Sequence, residues 1–189
     1  MTEPIRDAHE THETDEALFL RFRRTLDEDA FDALVARHAK RAHAVALSFL
    51  KEPAAAEDAV QEALLRLVRA REKFRRDLRF AEWFYALLRN CCRDEMRRRV
   101  RSPVEDAGSQ ERTVHADPHG QVETRERAHA ARRALDALAP PEREVLVLRV
   151  HGGLGFPEIA AACGITTEAA KKRAYRALER LRRELADGG

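Results

Sequence analysis

The chain has 189 residues, 36% of them charged, yet a formal net charge of only +2; this length suits two small domains better than one extended core. No apolar run approaches the roughly 20 residues of a membrane helix, and the N-terminus lacks the apolar stretch of a signal peptide, which predicts a cytoplasmic protein without membrane insertion. The three cysteines exclude a secreted disulfide framework: Cys91 and Cys92 are adjacent in a helical pattern and Cys163 sits where a buried aliphatic belongs.

Residues 1–16 carry Glu3, Asp7, Glu10, Glu13, Asp15 and Glu16 against Arg6, a balance that predicts a disordered acidic tail. His9 and His12 lack the i, i+4 spacing of a zinc hydrolase, so neither metal nor catalysis is assigned there. Farther on, Phe31, Leu34, Val35, His38, Ala42, Val45 and Phe49 form one apolar stripe at helical spacing, and Pro53 stops that helix. Val60, Ala63, Leu64, Leu67 and Val68 make the next stripe, with Glu57, Asp58, Gln61 and Glu62 on its outer face. An arginine-rich loop from Glu72 to Arg79 leads to a third helix bearing Phe80, Trp83, Phe84, Leu87, Leu88 and Cys91 on one side. An aromatic on such a stripe is more often core than ligand platform, and Trp83 is read that way. Three stripes close one core, which predicts a helical domain over 17–101. From Ala63 to Arg101, Lys and Arg outnumber Asp and Glu by more than two to one. One face of this domain suits phosphate, and the carboxylate face suits a basic protein.

Residues 102–123 contain Pro103, Gly108, Pro118 and Gly120, with Glu105, Asp106, Glu111, Asp117 and Glu123 against Arg112; such a stretch cannot bury a core and reads as a flexible acidic tether. His115 and His119 have metal-ligand spacing but no second pair, and no metal is assigned.

The second domain, 124–189, holds the most specific local signal. Gly155 and Pro157 open a short helix with Ile159, Ala160 and Cys163 inward, Gly164 supplies a left-handed stop, and Thr166 or Thr167 caps the next helix, with Glu168 favourable in its first turn. That last helix carries Lys171, Lys172, Arg173, Arg176, Arg180, Arg182 and Arg183 against Glu168, Glu179 and Glu184. A short helix, a glycine turn and a basic helix are the sequence form of a helix-turn-helix DNA reader.

The segments AEDAVQEALLRLVRA and RFAEWFYALLRNCCRDEMRRR resemble region two of the extracytoplasmic-function sigma factors of RNA polymerase, and LAPPEREVLVLRVHGGLGFPEIAAACGI resembles their region four. Both stand in the family's order, and together they cover about Asp27 to Leu185. The resemblance implies an all-α chain of two small helical domains joined by the tether, with core RNA polymerase and promoter DNA as partners, an anti-sigma factor as a further one, and no cofactor. By the same resemblance, Asp58, Gln61 and Glu62 dock on a coiled coil of the polymerase. Lys73, Arg75, Arg76, Arg79, Asn90, Arg93 and Arg97 hold the minus-ten element, with Arg98 and Arg99 on backbone, and Lys171, Lys172, Tyr175 and Arg176 read the minus-thirty-five element. Where the family usually has Gly-Thr-Val and then Ser and Leu, this chain has Glu168, Ala169, Ala170, Lys172 and Ala174, so alanines stand at inward positions of the reader. The acidic tether is either a plain linker or, as the family implies, a strand along the RNA exit path.

An enzyme of its own is not expected, because the chain has no glycine-rich phosphate loop, nucleophile elbow or Cys/His ligand set. Two rival readings share the pattern: a sigma-like decoy that sequesters an anti-sigma factor, and a helix-turn-helix repressor that acts without polymerase.

Overall fold

The structure, a computed structural model, describes residues 13–75, 77–101 and 133–187. Among them all regular structure is helical: α1 Asp15–Thr25, α2 Glu28–Leu50, α3 Pro53–Arg69, a 3-10 turn Arg71–Lys73, α4 Phe80–Arg101, α5 Pro140–Val150, α6 Phe156–Cys163 and α7 Thr167–Asp187.

Several helices begin where a residue satisfies a free N–H group, and others where a proline removes one. Thr14 accepts from the Ala17 amide at 3.2 Å and Asp27 from the Ala30 amide at 3.0 Å, starting α1 and α2. Pro53 stands in the first turn of α3, where its missing N–H costs nothing. The Phe80 amide, at the head of α4, donates to the Glu16 carboxylate at 3.0 Å. One helix thus caps another, which docks α1 on α4.

The acidic tail therefore ends earlier than its charge suggested. Asp15 and Glu16, expected in the tail, open α1, and Asp15 receives Arg37 Nη1 and His38 Nε2, each at 2.7 Å. Charge alone predicts solvation, but three partners on α2 and α4 are brought to these carboxylates by tertiary packing. Residues 1–12 and the tether lie outside the described residues, as do His9, His12, His115 and His119.

The first unit closes around aromatic rings. Phe19 of α1 meets Phe74 (centroids 4.9 Å), Phe80 (5.4 Å) and Trp83 (5.3 Å), and His38 lies 5.2 Å from Phe80. Trp83 is thus packed against the core, as its stripe implied. Buried Ala42, Ala46, Ala56, Ala59 and Ala63 let α2 and α3 approach closely.

Burial alone would raise the Asp15 carboxyl; the hydrogen bonds from Arg37 and His38 overcome this and hold it below the ordinary aspartate value. A depressed carboxylate stabilises the fold above its unfolded pKa and loses that contribution as pH falls through the folded one. Asp15→Asn is expected to cost about 1 kcal/mol at pH 7, discounted for partial exposure, with the gap to the parent narrowing below about pH 4. Urea titrations at pH 7 and pH 3 check this; a gap that widens in acid contradicts it.

In the second unit, α5 packs on α7, and α6 lies between α7 and α4. Ala170 and Ala174 are buried. Forgoing branched side chains at these two positions gives up roughly 1.5–3 kcal/mol of burial each, and the small side chains set α7 close beneath the turn.

Candidate nucleic-acid and protein interfaces

Asp58 and Gln61 are exposed on the outer face of α3, and Glu62 is half-buried beside them. Glu62 accepts from Arg66 Nε at 2.7 Å, and Arg66 reaches on to Asp94 of α4 at 3.0 Å, a bridge that holds the guanidinium well above its ordinary pKa. Hydrogen bonds to Glu62 are the leading cause. The three carboxylate-face residues thus differ: Glu62 is already tied, whereas Asp58 is open to a partner.

Sequence reasoning missed two parts of this surface. Leu65, 49% exposed, follows Asp58, Gln61 and Glu62 at helical spacing and puts an apolar contact among them. Asp94, Glu95, Arg98 and Arg101 of α4 line the opposite side of the same groove. Leu65 was findable from the i, i+3, i+4, i+7 pattern. The α4 residues were not, because they join the groove only through the packing of α3 on α4.

No acidic residue lies in the first turn of α3. The helix dipole acts mainly within that turn, so it does not account for Asp58 or Gln61. The groove carries both signs of charge around Leu65, and its open carboxylate, Asp58, suits a partner with basic residues.

The arginine loop is anchored from inside. Phe74 is buried against Phe19 and Trp83, and its carbonyl accepts from Arg23 Nη1 at 2.8 Å. Around it Lys73, Arg75 and Arg79 are exposed, and Arg76 lies outside the described residues. Arg75 forms a two-bonded pair with Asp77, at 3.0 and 2.5 Å, which raises the arginine and lowers the carboxylate.

Asn90, Arg93 and Arg97 are exposed along one side of α4. Arg99 does not join them. It turns to the corner between α2 and α3, where it bonds Glu52 (2.6 Å), Glu95 (2.9 Å) and the Leu50 carbonyl (3.5 Å). Arg98 pairs with Glu95 at 2.6 Å. A position nine residues beyond Asn90 lies on the opposite side of a helix with 3.6 residues per turn, and this separates Arg99 from the basic row.

The turn of the second unit follows its local chemistry. Gly155 donates to the Glu158 carboxylate at 2.6 Å, Gly164 is left-handed at φ 66°, and the Ala169 amide donates to Thr166 at 3.1 Å. Beyond it, Lys172, Tyr175 and Arg176 are exposed on one face of α7, with Tyr175 63% exposed. Lys171 pairs with Glu168 at 2.9 Å. An exposed phenol among cations is poorly explained by packing and well suited to a groove of DNA.

The cysteines are packing groups. Burial pushes the Cys92 thiol up to about 12 and Cys163 up to about 11, which leaves them unreactive. Among the described residues no helix is long and apolar enough to cross a membrane.

Residues 34–102 match the model of sigma-70 region 2, and residues 128–181 match that of sigma-70 region 4. The chain is 34% identical over 163 residues to the RNA polymerase sigma factor CarQ of Myxococcus xanthus, covering 85% of this chain and 91% of that one. It is 36% identical over 151 residues to the ECF RNA polymerase sigma factor EcfG of Rhodopseudomonas palustris, covering 79% and 81%. Its fold is similar to that of the sigma factor RpoE in complex with the anti-sigma factor NepR from Bartonella quintana, with TM-score 0.66 and 25% identity over 82% of this chain and 96% of that chain.

Proposed function

This chain belongs to the extracytoplasmic-function class of the sigma-70 family of RNA polymerase sigma factors, and on that footing we propose which of its residues carry each part of the work. It directs promoter-specific initiation; the chemistry of RNA synthesis belongs to the polymerase, and this chain takes no catalytic part. It works in the cytoplasm beside that enzyme.

Asp58, Gln61 and Glu62 dock on the polymerase. Asp58 supplies the free charge, Leu65 the apolar centre, and Arg66 keeps Glu62 oriented through Asp94. Lys73, Arg75, Arg76 and Arg79 hold the backbone of the opened minus-ten strand, for which unpaired DNA needs a cationic track. Asn90 reads a base edge with its amide, and Arg93 and Arg97 neutralise phosphates. Lys171, Lys172, Tyr175 and Arg176 enter the major groove at the minus-thirty-five element, with phosphate contacts positioning and base contacts specifying. An anti-sigma factor is a further partner, supported by the likeness to RpoE, a sigma factor solved with one.

The observation that supports this reading is that an exposed Asp58 and Gln61 and two exposed cationic helix faces stand on one chain in the family's order. Run-off transcription with purified core polymerase tests it: a new product appears only when this chain is added. Binding of an anti-sigma factor without any product would mark a decoy, and DNA binding that ignores core would mark a repressor.

Arg176→Ala is expected to weaken holoenzyme binding to a cognate promoter by about 1–3 kcal/mol if it contacts a base. A phosphate contact would instead give a smaller, sequence-independent loss with a shallower salt slope. Footprinting at matched salt distinguishes the two, and an unaltered upstream footprint removes Arg176 from the reader.

A further inference from the structure

The arginine loop does not hold itself in place; α1 holds it at both ends. Where the loop begins, Arg23 Nη1 donates to the Phe74 carbonyl at 2.8 Å, and Arg23 Nε lies 3.9 Å from the Glu72 carboxylate. Where it ends, the Phe80 amide donates to Glu16 Oε1 at 3.0 Å. Between these two bonds the ring of Phe19 meets Phe74, Phe80 and Trp83. Glu16, Phe19 and Arg23 follow one another at i, i+3 and i+7, which sets all three on one face of α1.

The spacing of the two ties shapes what lies between them. They leave α1 about 10 Å apart along the helix axis, at 1.5 Å per residue. The stretch from Phe74 to Phe80 could reach about 20 Å if extended, so the tied chain has slack to bow away from the core. Its Arg75, Asp77 and Arg79 are exposed, while Phe74 and Phe80 are buried. The loop's own bonds, from the Leu78 amide to the Arg75 carbonyl at 3.1 Å and from Arg75 to Asp77, join it only to itself. Arg79 reaches Glu158 of α6 at 3.4 Å, a side-chain contact that fixes no backbone.

α1 is itself firmly mounted, because Asp15 takes Arg37 and His38 of α2, and Phe22 meets Phe31 with centroids 4.7 Å apart. A run of close contacts thus leads from α2 through α1 to the loop. α1 lies ahead of residue 34, where the likeness to region 2 begins, so that likeness gives it no task.

We propose that α1 is a splint for the minus-ten reader, with Arg23 and Glu16 as positioning residues that fix the loop and, through it, the register in which the opened strand meets Asn90. The splint rests on the assignment of the loop and Asn90 to the minus-ten strand made above. Backbone contacts position a nucleic acid and base contacts specify it, so a loop that drifts costs selectivity as well as affinity. A carbonyl held by a guanidinium and an amide held by a carboxylate are charge-assisted bonds, stronger than neutral ones, which suits a part that has to be held still.

The test uses holoenzyme assembled from the full chain and purified core polymerase. Two labelled single strands are titrated: the minus-ten strand of a promoter that the parent opens in run-off transcription, and the same bases in shuffled order. The ratio of the two affinities is the readout. A variant that merely folds less well loses both strands equally and leaves the ratio where it was. Arg23→Met keeps the stem and removes the donor; it should cut the ratio about tenfold, the scale of one hydrogen bond to a charged group, with core affinity and the upstream footprint unchanged. Glu16→Ala should lower the ratio too, and Glu16→Gln, whose amide oxygen still accepts from Phe80, should restore most of it.

An Arg23→Met ratio equal to the parent's overturns the splint. So does a Glu16→Gln variant as unselective as Glu16→Ala, or a loss that falls equally on both strands and on core affinity. A failure of the functional reading looks different: the parent holoenzyme would itself bind both strands alike, and the splint would fall with it.

Discussion

Asp58→Arg is expected to lower the affinity for core polymerase by roughly thirtyfold while leaving the melting temperature of the free chain nearly unchanged. Asp58 is exposed and makes no ion pair among the described residues, so the fold loses little. It is also beyond the first turn of its helix, so the dipole contribution at stake is small. What changes is the meeting with a basic partner: a favourable charge becomes a like-charge juxtaposition, worth about 2 kcal/mol or more at an interface. The loss should shrink as salt is added. A titration of labelled protein against core enzyme at two ionic strengths measures it. An affinity within twofold of the parent at low salt would remove Asp58 from the docking face, and Glu62, being tied to Arg66, would not be a substitute for it.

Phe74→Ala is the most damaging single change expected in the first unit. Its ring is buried between Phe19 and Trp83, and its carbonyl is held by Arg23. Truncating such a ring costs about 3–5 kcal/mol, equivalent to a drop of at least about 12 °C in the melting temperature of a unit this size. The functional cost follows from position. Phe74 is the internal anchor of the loop that presents Lys73, Arg75 and Arg79, so permanganate reactivity of the minus-ten strand should fall even at temperatures where helicity is intact. Phe74→Leu, which keeps most of the volume, should recover much of both. A melting shift of only one or two degrees in Phe74→Ala would show that the loop is anchored elsewhere.

Local chemistry was fully legible in the chain. The stripes of α2, α3 and α4, the stop at Pro53, the left-handed Gly164 and the cap at Thr166 all depend on residues within a turn or two of each other. Family likeness then supplied the proposed readers and docking face, because the motifs are contiguous. The start of α1 was not legible, since its acidic residues are stabilised by Arg37, His38 and the Phe80 amide, which are remote in sequence. The resemblance groups Arg99 with the basic row, but helical rotation and its bonds to Glu52 and Glu95 put it on another face.

By itself, then, the order of residues determined α2, α3, α4 and the glycine turn with the helices on either side of it, because periodicity and turn chemistry are short-range; α1 was left to tertiary contacts. Tertiary structure alone decided which charges are spent and which are free: Glu62, Arg99 and Glu144 are tied, while Asp58, Asn90 and Arg176 are exposed. It also decided that Arg89 of α4 bonds Glu144 of α5. That outcome depends on side chains 55 residues apart meeting in a nearly dry contact, a coincidence of packing that no local pattern encodes.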